Sequence, residues 1–273
     1  MNNSIEIVAR SLIIAGLVST TGCQTIAEFR GSEGDKQVAV DAQTYSIEGT
    51  PTPSSPEWQA VSDQLRTAMM RVYSPGHPKW GENYLASAAI ISGEAVRVGR
   101  TDIGVAILSL HQKTGSGGFP FMPLVLTNDF TGDRYEISRY IEIEDPDRDM
   151  LIFVFELPVD QTDIFNDHAF KMIREDWDGF GRVMVGGYPA AFDNVGISGR
   201  IIELDSQNYF GPNNSMRFST SFGSGGSGGP ASDRDRNYIG YMNAGGIGVT
   251  TIVPLRNFTA KVDQAITELD AAP

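Results

Sequence analysis

The chain of 273 residues holds one cysteine, Cys23, and three histidines, His77, His111 and His168, and carries a formal charge of −13. Each scarcity excludes something. A single cysteine cannot close an internal disulfide, so packing alone must hold the fold. An acidic chain lacks the basic footprint that nucleic acid or an anionic membrane surface requires, and neither is expected as a partner. The apolar run from Leu12 to Val18 is far shorter than the roughly 20 residues a membrane-spanning helix needs. What is abundant is core material: 41% hydrophobic residues suffice for one large domain or two small ones.

The N-terminal run fits the apolar region of an export signal, preceded by Arg10. "LVSTTGC", residues 17 to 23, resembles a bacterial lipobox, with Thr20 where leucine is usual. The resemblance implies a lipoprotein-type signal over residues 1–22, a lipid on Cys23, and a site on the bacterial envelope, facing the periplasm. Residues 23–55 are rich in Gly, Ser, Thr, Pro and charge and read as a tether.

Ser55-Pro56 is a helix start signal, and Val61, Leu65, Ala68, Met69 and Val72 follow at helical spacing, so residues 56–100 read as an N-terminal helical extension. From residue 101 the pattern changes to short runs of Val, Ile, Leu, Phe and Tyr cut by Gly, Asn, Asp and Pro. "GVAILSL", "PLVLTND", "YEISRYIEI", "MLIFVFEL", "RVMVGGY", "GISGRIIEL", "SMRFSTSF", "NYIGYMNA" and "GVTTIVPL" are strands by this pattern, and "VDQAITELDAA" is an amphipathic helix. Such a series predicts an all-β protein, a sandwich or a pair of barrels.

Between two of these strands lies "SFGSGGSGGPASD", residues 221 to 233, whose composition suits a flexible linker. Too little chain follows it for a second domain. A glycine-rich turn inside one domain fits better, and its glycines then need a local reason. One is available: a serine nucleophile needs backbone N–H groups converging on the developing oxyanion, a turn that side chains obstruct.

Gly225-Gly226-Ser227-Gly228-Gly229-Pro230 resembles the serine signature of chymotrypsin-fold peptidases, with Gly226 in place of the usual Asp or Asn. The likeness continues in order along the chain. "KTGSGGF" (113 to 119) is similar to a hairpin of HtrA-type and glutamyl endopeptidases, "PLVLTNDF" (123 to 130) to their Leu-Thr-Asn-Ala-His segment, and "EDPDRDMLIFVFEL" (144 to 157) to the segment with the catalytic Asp. "VGGYPAAFDNVGISGRI" resembles the start of their second barrel, and "YIGYMNAGG" the strand lining the substrate pocket.

The resemblance implies a trypsin-like peptidase domain over residues 101–270, with two six-stranded barrels at about 101–165 and 180–258 and a C-terminal helix at about 259–271. It places Ser227 at the nucleophile position, Asp149 at that of the orienting carboxylate, and the N–H groups of Gly225 and Ser227 at the oxyanion hole. Thr220, Ser221, Asn243, Ala244 and Gly245 take the substrate-pocket positions, whose small neutral side chains suggest no tryptic preference for arginine or lysine. Phe130 falls at the histidine position; a second register, through "SAAII", puts Ile90 there instead. Neither can take a proton from serine. His77, His111 and His168 read as surface histidines, and Asp129 as a turn residue.

Asp145, Asp147, Asp149 and Glu156 have a calcium-loop-like spacing, but Met150 stands where that loop needs glycine, so no metal and no cofactor is expected. The function expected is therefore a degenerate peptidase that binds a polypeptide or an envelope protein. An active serine endopeptidase with a displaced base and a structural lipoprotein scaffold are the alternatives.

Overall fold

In the computed structural model the apolar runs become strands whose ends converge on one place. Described are residues 56–73, 86–115, 123–175, 177, 182–188, 195–206, 215–218, 226–246 and 249–272. Residues 1–22 and 23–55, where a signal and a tether are expected, lie outside them.

Helix α1, Pro56–Ala68, opens with proline at a position that needs no N–H bond and buries Val61, Leu65 and Ala68. It stops at Met69, where the chain turns straight into β1, Met69–Tyr73. Then come β2 (Ala86–Ser92), β3 (Ile103–Ser109), the short helix α2 (Leu110–Gly115), β4 (Leu124–Thr127), β5 (Arg134–Ile137), β6 (Tyr140–Asp145) and β7 (Met150–Glu156). These strands form one seven-stranded sheet in the order β5-β4-β1-β2-β3-β7-β6.

Two expectations are corrected here. The first sheet begins at Met69 rather than near residue 101, because the helical stripe ends at Ala68, and Met69 and Val72 are buried as strand residues. "YEISRYIEI" divides into two strands, β5 and β6, which pair with β4 and β7 at opposite ends of the strand order, and this gives the sheet seven strands instead of six.

Helix α3 (Thr162–His168) leads to β8 (Arg182–Gly187), β9 (Val195–Ser206), β10 (Ser215–Phe218), β11 (Pro230–Ser232), β12 (Tyr238–Gly246), β13 (Val249–Pro254) and helix α4 (Phe258–Ala271). The six strands close a barrel in the order β10-β13-β12-β11-β8-β9. Pairing repeats between the two units. In each, the first strand pairs with the second and fourth, the third with the second and last, and the last with the one before it. The expected all-β architecture of two chymotrypsin-type barrel units with a helix at each end is what the chain adopts, the first unit as a curled sheet.

Central strands β3 and β7 are buried along both faces, apart from Glu156. One face looks into the sheet's core and the other is covered by helices. Helix α4 contributes Phe258, Val262, Ala265, Ile266 and Leu269 to that cover, a one-sided stripe in which each large apolar side chain stabilises by about 1.5–3 kcal/mol. The connector after α3 stitches the units together. Phe170 N–H donates to Ile90 O (3.0 Å), Tyr238 N–H to Met172 O (2.9 Å), and Phe170 stacks on Tyr238 at 5.0 Å.

Candidate active site

Strand register builds the site. β3 and β7 run antiparallel with Ser109 opposite Met150, so the residues leaving β3 meet those entering β7. Leu110 N–H donates to Asp149 O at 2.8 Å, which continues the ladder by one step. The turn into β7, Pro146–Arg148, ends on Asp149 in the left-handed region (φ 54°, ψ 40°), a conformation Asp tolerates better than most residues. That conformation aims the carboxylate back over α2. Oδ1 accepts the backbone N–H of His111 at 2.6 Å, and Oδ2 accepts the ring Nδ1–H of the same residue at 2.5 Å. Two bonds from one carboxylate hold both the backbone and the ring of His111.

Asp149 therefore faces His111, not Phe130. With Nδ1 given to the carboxylate, Nε2 is the nitrogen suited to accept a proton. Both side chains remain in reach of solvent, His111 at 29% and Asp149 at 22% exposure. Beneath them Tyr241 is fully buried and donates to Arg148 O at 2.6 Å. Burial, reinforced by the nearby Asp149 charge, pushes its phenol far above the usual range, so it stays a neutral donor that pins the turn.

Ser227 arrives from the other unit, three residues before β11. Gly228 has φ +87° and fits against the backbone of β2 and β3, where an added Cβ would lie 2.0 Å from Ser87 O. Gly228 N–H donates to Met242 O (2.7 Å), Gly229 N–H to Gly226 O (2.8 Å), and the Gln112 amide to Ser227 O (2.8 Å). Gln112 follows His111 on α2, so the histidine and the serine loop are joined through one short helix. The Ser227 hydroxyl donates to Asn243 O at 2.9 Å. Asn243 is the residue skipped in the β12–β13 register, between Met242 opposite Ile252 and Ala244 opposite Thr251, so its carbonyl is turned out of that ladder.

Lys113, next along α2, bonds to both Glu142 and Glu144 on β6. Burial alone would lower its ammonium, but the two carboxylates outweigh that and raise it, so α2 is tied to β6 through a charged lysine. The carboxylates that suggested a metal loop diverge: Asp145 takes Lys261, while Asp149 takes His111.

Phe130 is in the turn after β4, 58% exposed, with the Arg66 guanidinium 5.7 Å from its ring centre. Its segment is structural. Asn128 donates to the carbonyls of Arg66, Thr67 and Met69 at 2.8–3.0 Å and accepts the N–H groups of Phe130 and Thr131, clamping the end of α1 to the β4–β5 turn. Asp129 pairs with Arg71 at 2.6 Å. An Asn128→Ala variant should lose about 2–4 kcal/mol in urea unfolding, because five buried or half-buried backbone groups each lose a hydrogen bond together. Ile90 is a core residue of β2. His168 gives its Nδ1 to Asp133 at 2.5 Å, beside Thr131. Gly225, Thr220, Ser221, His77 and Cys23 lie outside the described residues, and Ala244 and Gly245 are placed only as backbone of β12.

At the level of sequence, no protein-family model and no curated protein matches the chain. Its three-dimensional likeness is to solved structures of the HtrA-type protease AlgW. AlgW with a tripeptide aligns at TM-score 0.54 and 19% identity over 77% of this chain, and its serine-to-alanine variant with a decapeptide at 0.54 and 18% over 78%. The chain has the fold of the trypsin-like serine proteases. It spans 63% and 67% of the length of those AlgW chains.

Proposed function

We propose that the chain is a serine endopeptidase of the trypsin-like kind, with Ser227 as nucleophile, His111 as general base and Asp149 as the carboxylate that orients it. The observation that supports this best is the pair of hydrogen bonds that His111 donates to Asp149, at 2.6 and 2.5 Å, on the helix whose next residue holds Ser227 O. A serine hydroxyl is inert until a base removes its proton, and this arrangement supplies one. His111 Nε2 takes the proton as Ser227 Oγ attacks a peptide carbonyl, and returns it to the leaving amine. Asp149 fixes the ring and stabilises the imidazolium. Gly228 commits its N–H to Met242 O and Gly229 to Gly226 O, so the Ser227 N–H, with that of Gly225, is assigned to the oxyanion.

The carbonyl of Asn243 now holds the hydroxyl of Ser227, so reaction requires the hydroxyl to turn from it toward His111. Polypeptide is the substrate class, in keeping with the peptides carried by the AlgW structures. On the pattern of residues 12 to 23 the protein is exported and held on the bacterial envelope by a lipid at Cys23.

A fluorophosphonate probe should label the purified protein, and Ser227→Ala should abolish that labelling. Peptide hydrolysis should fall with it, by about 10⁴- to 10⁶-fold. Wild-type protein that stays unlabelled at high probe concentration restores the degenerate peptidase.

A further inference from the structure

We propose that Gln112 is a positioning residue that holds the nucleophile turn in register with the base, a role that rests on the peptidase reading above. Gln112 is buried, 2% exposed, as the third residue of α2. Consecutive residues on a helix point about 100° apart. His111 accordingly turns to Asp149, while Gln112 turns to the other unit and donates its amide to Ser227 O at 2.8 Å.

What this bond controls follows from the peptide groups on either side of Ser227. The group before it is set from within the turn, because Gly226 O accepts Gly229 N–H at 2.8 Å. The group after it is set at both ends by other parts of the chain: Gly228 N–H donates to Met242 O at 2.7 Å, and Ser227 O accepts from Gln112. With both planes fixed, the Cα of Ser227 and the range open to its hydroxyl are fixed too. Only the Gln112 bond comes from the helix that carries the base. It is therefore the contact that couples the placement of Ser227 to that of His111.

The residue type is specific to the task. The acceptor is a neutral carbonyl beside a buried side chain, so a neutral donor satisfies it without placing a charge next to His111. Asparagine is one methylene short, and an apolar residue leaves the carbonyl without this bond. A neighbouring contact offers a control: Ser109 Oγ also crosses from β3 to the second unit, but donates to Met242 O, at 3.2 Å, rather than to Ser227.

The test compares full-length Gln112→Met, which keeps the side-chain volume, and Gln112→Asn with Ser109→Ala. Amide hydrogen exchange at Gly228 and Gly229 is read by mass spectrometry, together with the rate of fluorophosphonate labelling and its pH profile. Both Gln112 variants should speed exchange at these amides by about tenfold or more. They should slow labelling by about 10- to 100-fold, with the pH midpoint unmoved because the His111–Asp149 pair is intact. Ser109→Ala should label within about twofold of wild type.

Unchanged exchange in both Gln112 variants would overturn the proposal. So would faster exchange with an unchanged labelling rate, or a loss no greater than that of Ser109→Ala at equal stability. If wild-type protein does not label while the Gln112 variants still speed exchange, the hold on the turn stands and the peptidase reading falls. If Gln112→Met does not fold, Gln112→Asn carries the same measurements.

Discussion

His111→Ala should abolish fluorophosphonate labelling and peptide hydrolysis, while Phe130→Ala should leave both within about twofold of wild type. The first expectation follows from the size of the effect: losing a triad base in enzymes of this chemistry costs on the order of 10⁴- to 10⁶-fold, because no other group takes the serine proton. The second follows from position. Phe130 is exposed on the β4–β5 turn and its ring meets Arg66, so its removal touches neither Asp149 nor Ser227. Single-point rates under saturating probe, with circular dichroism to show that each variant is folded, decide between the two residues. Equal labelling of His111→Ala and wild type would exclude His111 as the base, whatever the rate of the wild type. Asp149→Asn provides a graded companion. It keeps the shape of the turn but can no longer hold the ring in the required tautomer, and should reduce the rate by about 10⁴-fold.

The assignment of His111 also shows which part of the site the sequence could reveal. Runs such as "MLIFVFEL" and "GVAILSL" are legible as strands because they are short, apolar and bounded by turn residues, and both became central strands. The serine turn was legible because its glycines are needed at a point of close backbone approach. The histidine proposed as base was not, because its position depends on register: Ser109 pairs with Met150, which brings residues 110–111 to Asp149. A slip of one residue would turn the opposite face of the strand inward, and composition says little about such slips.

A signal was present, in a strand run ending "ILSLHQK" whose histidine lies just beyond the last apolar residue. The likeness of "PLVLTNDF" to a histidine segment masks it, although the Asn there serves to cap the turn and bind α1. The boundary of the first unit was hidden for a related reason. Met69 and Val72 continue the spacing of Val61 and Leu65, and only the antiparallel partners Ala89 and Ala86 reveal them as strand.

Gly228→Ala should destabilise the protein by more than about 4 kcal/mol and remove labelling, whereas Gly132→Ala should cost only about 1–2 kcal/mol and leave labelling intact. The two glycines have nearly the same backbone, φ +87° and φ +80°, so the strain of placing an L side chain there is common to both. Surroundings separate them. At Gly132 nothing lies within 4 Å of an added Cβ, while at Gly228 that carbon would sit 2.0 Å from Ser87 O, 3.0 Å from Ser87 C and 3.3 Å from Leu108 Cα.

All three are backbone atoms of β2 and β3, strands buried along their whole length, so no side chain can swing aside. The strain must be relieved by moving the turn off the first unit, which breaks the bond from Gln112 to Ser227 O that joins the two. Denaturant unfolding of the two variants separates the common backbone cost from the contact cost. Equal losses would mean that the turn does not pack on β2 and β3. A large excess for Gly228 shows that this glycine serves close approach rather than freedom of motion, and that the turn at residues 226–229 is the joint by which one unit sets Ser227 against the helix that carries His111 in the other.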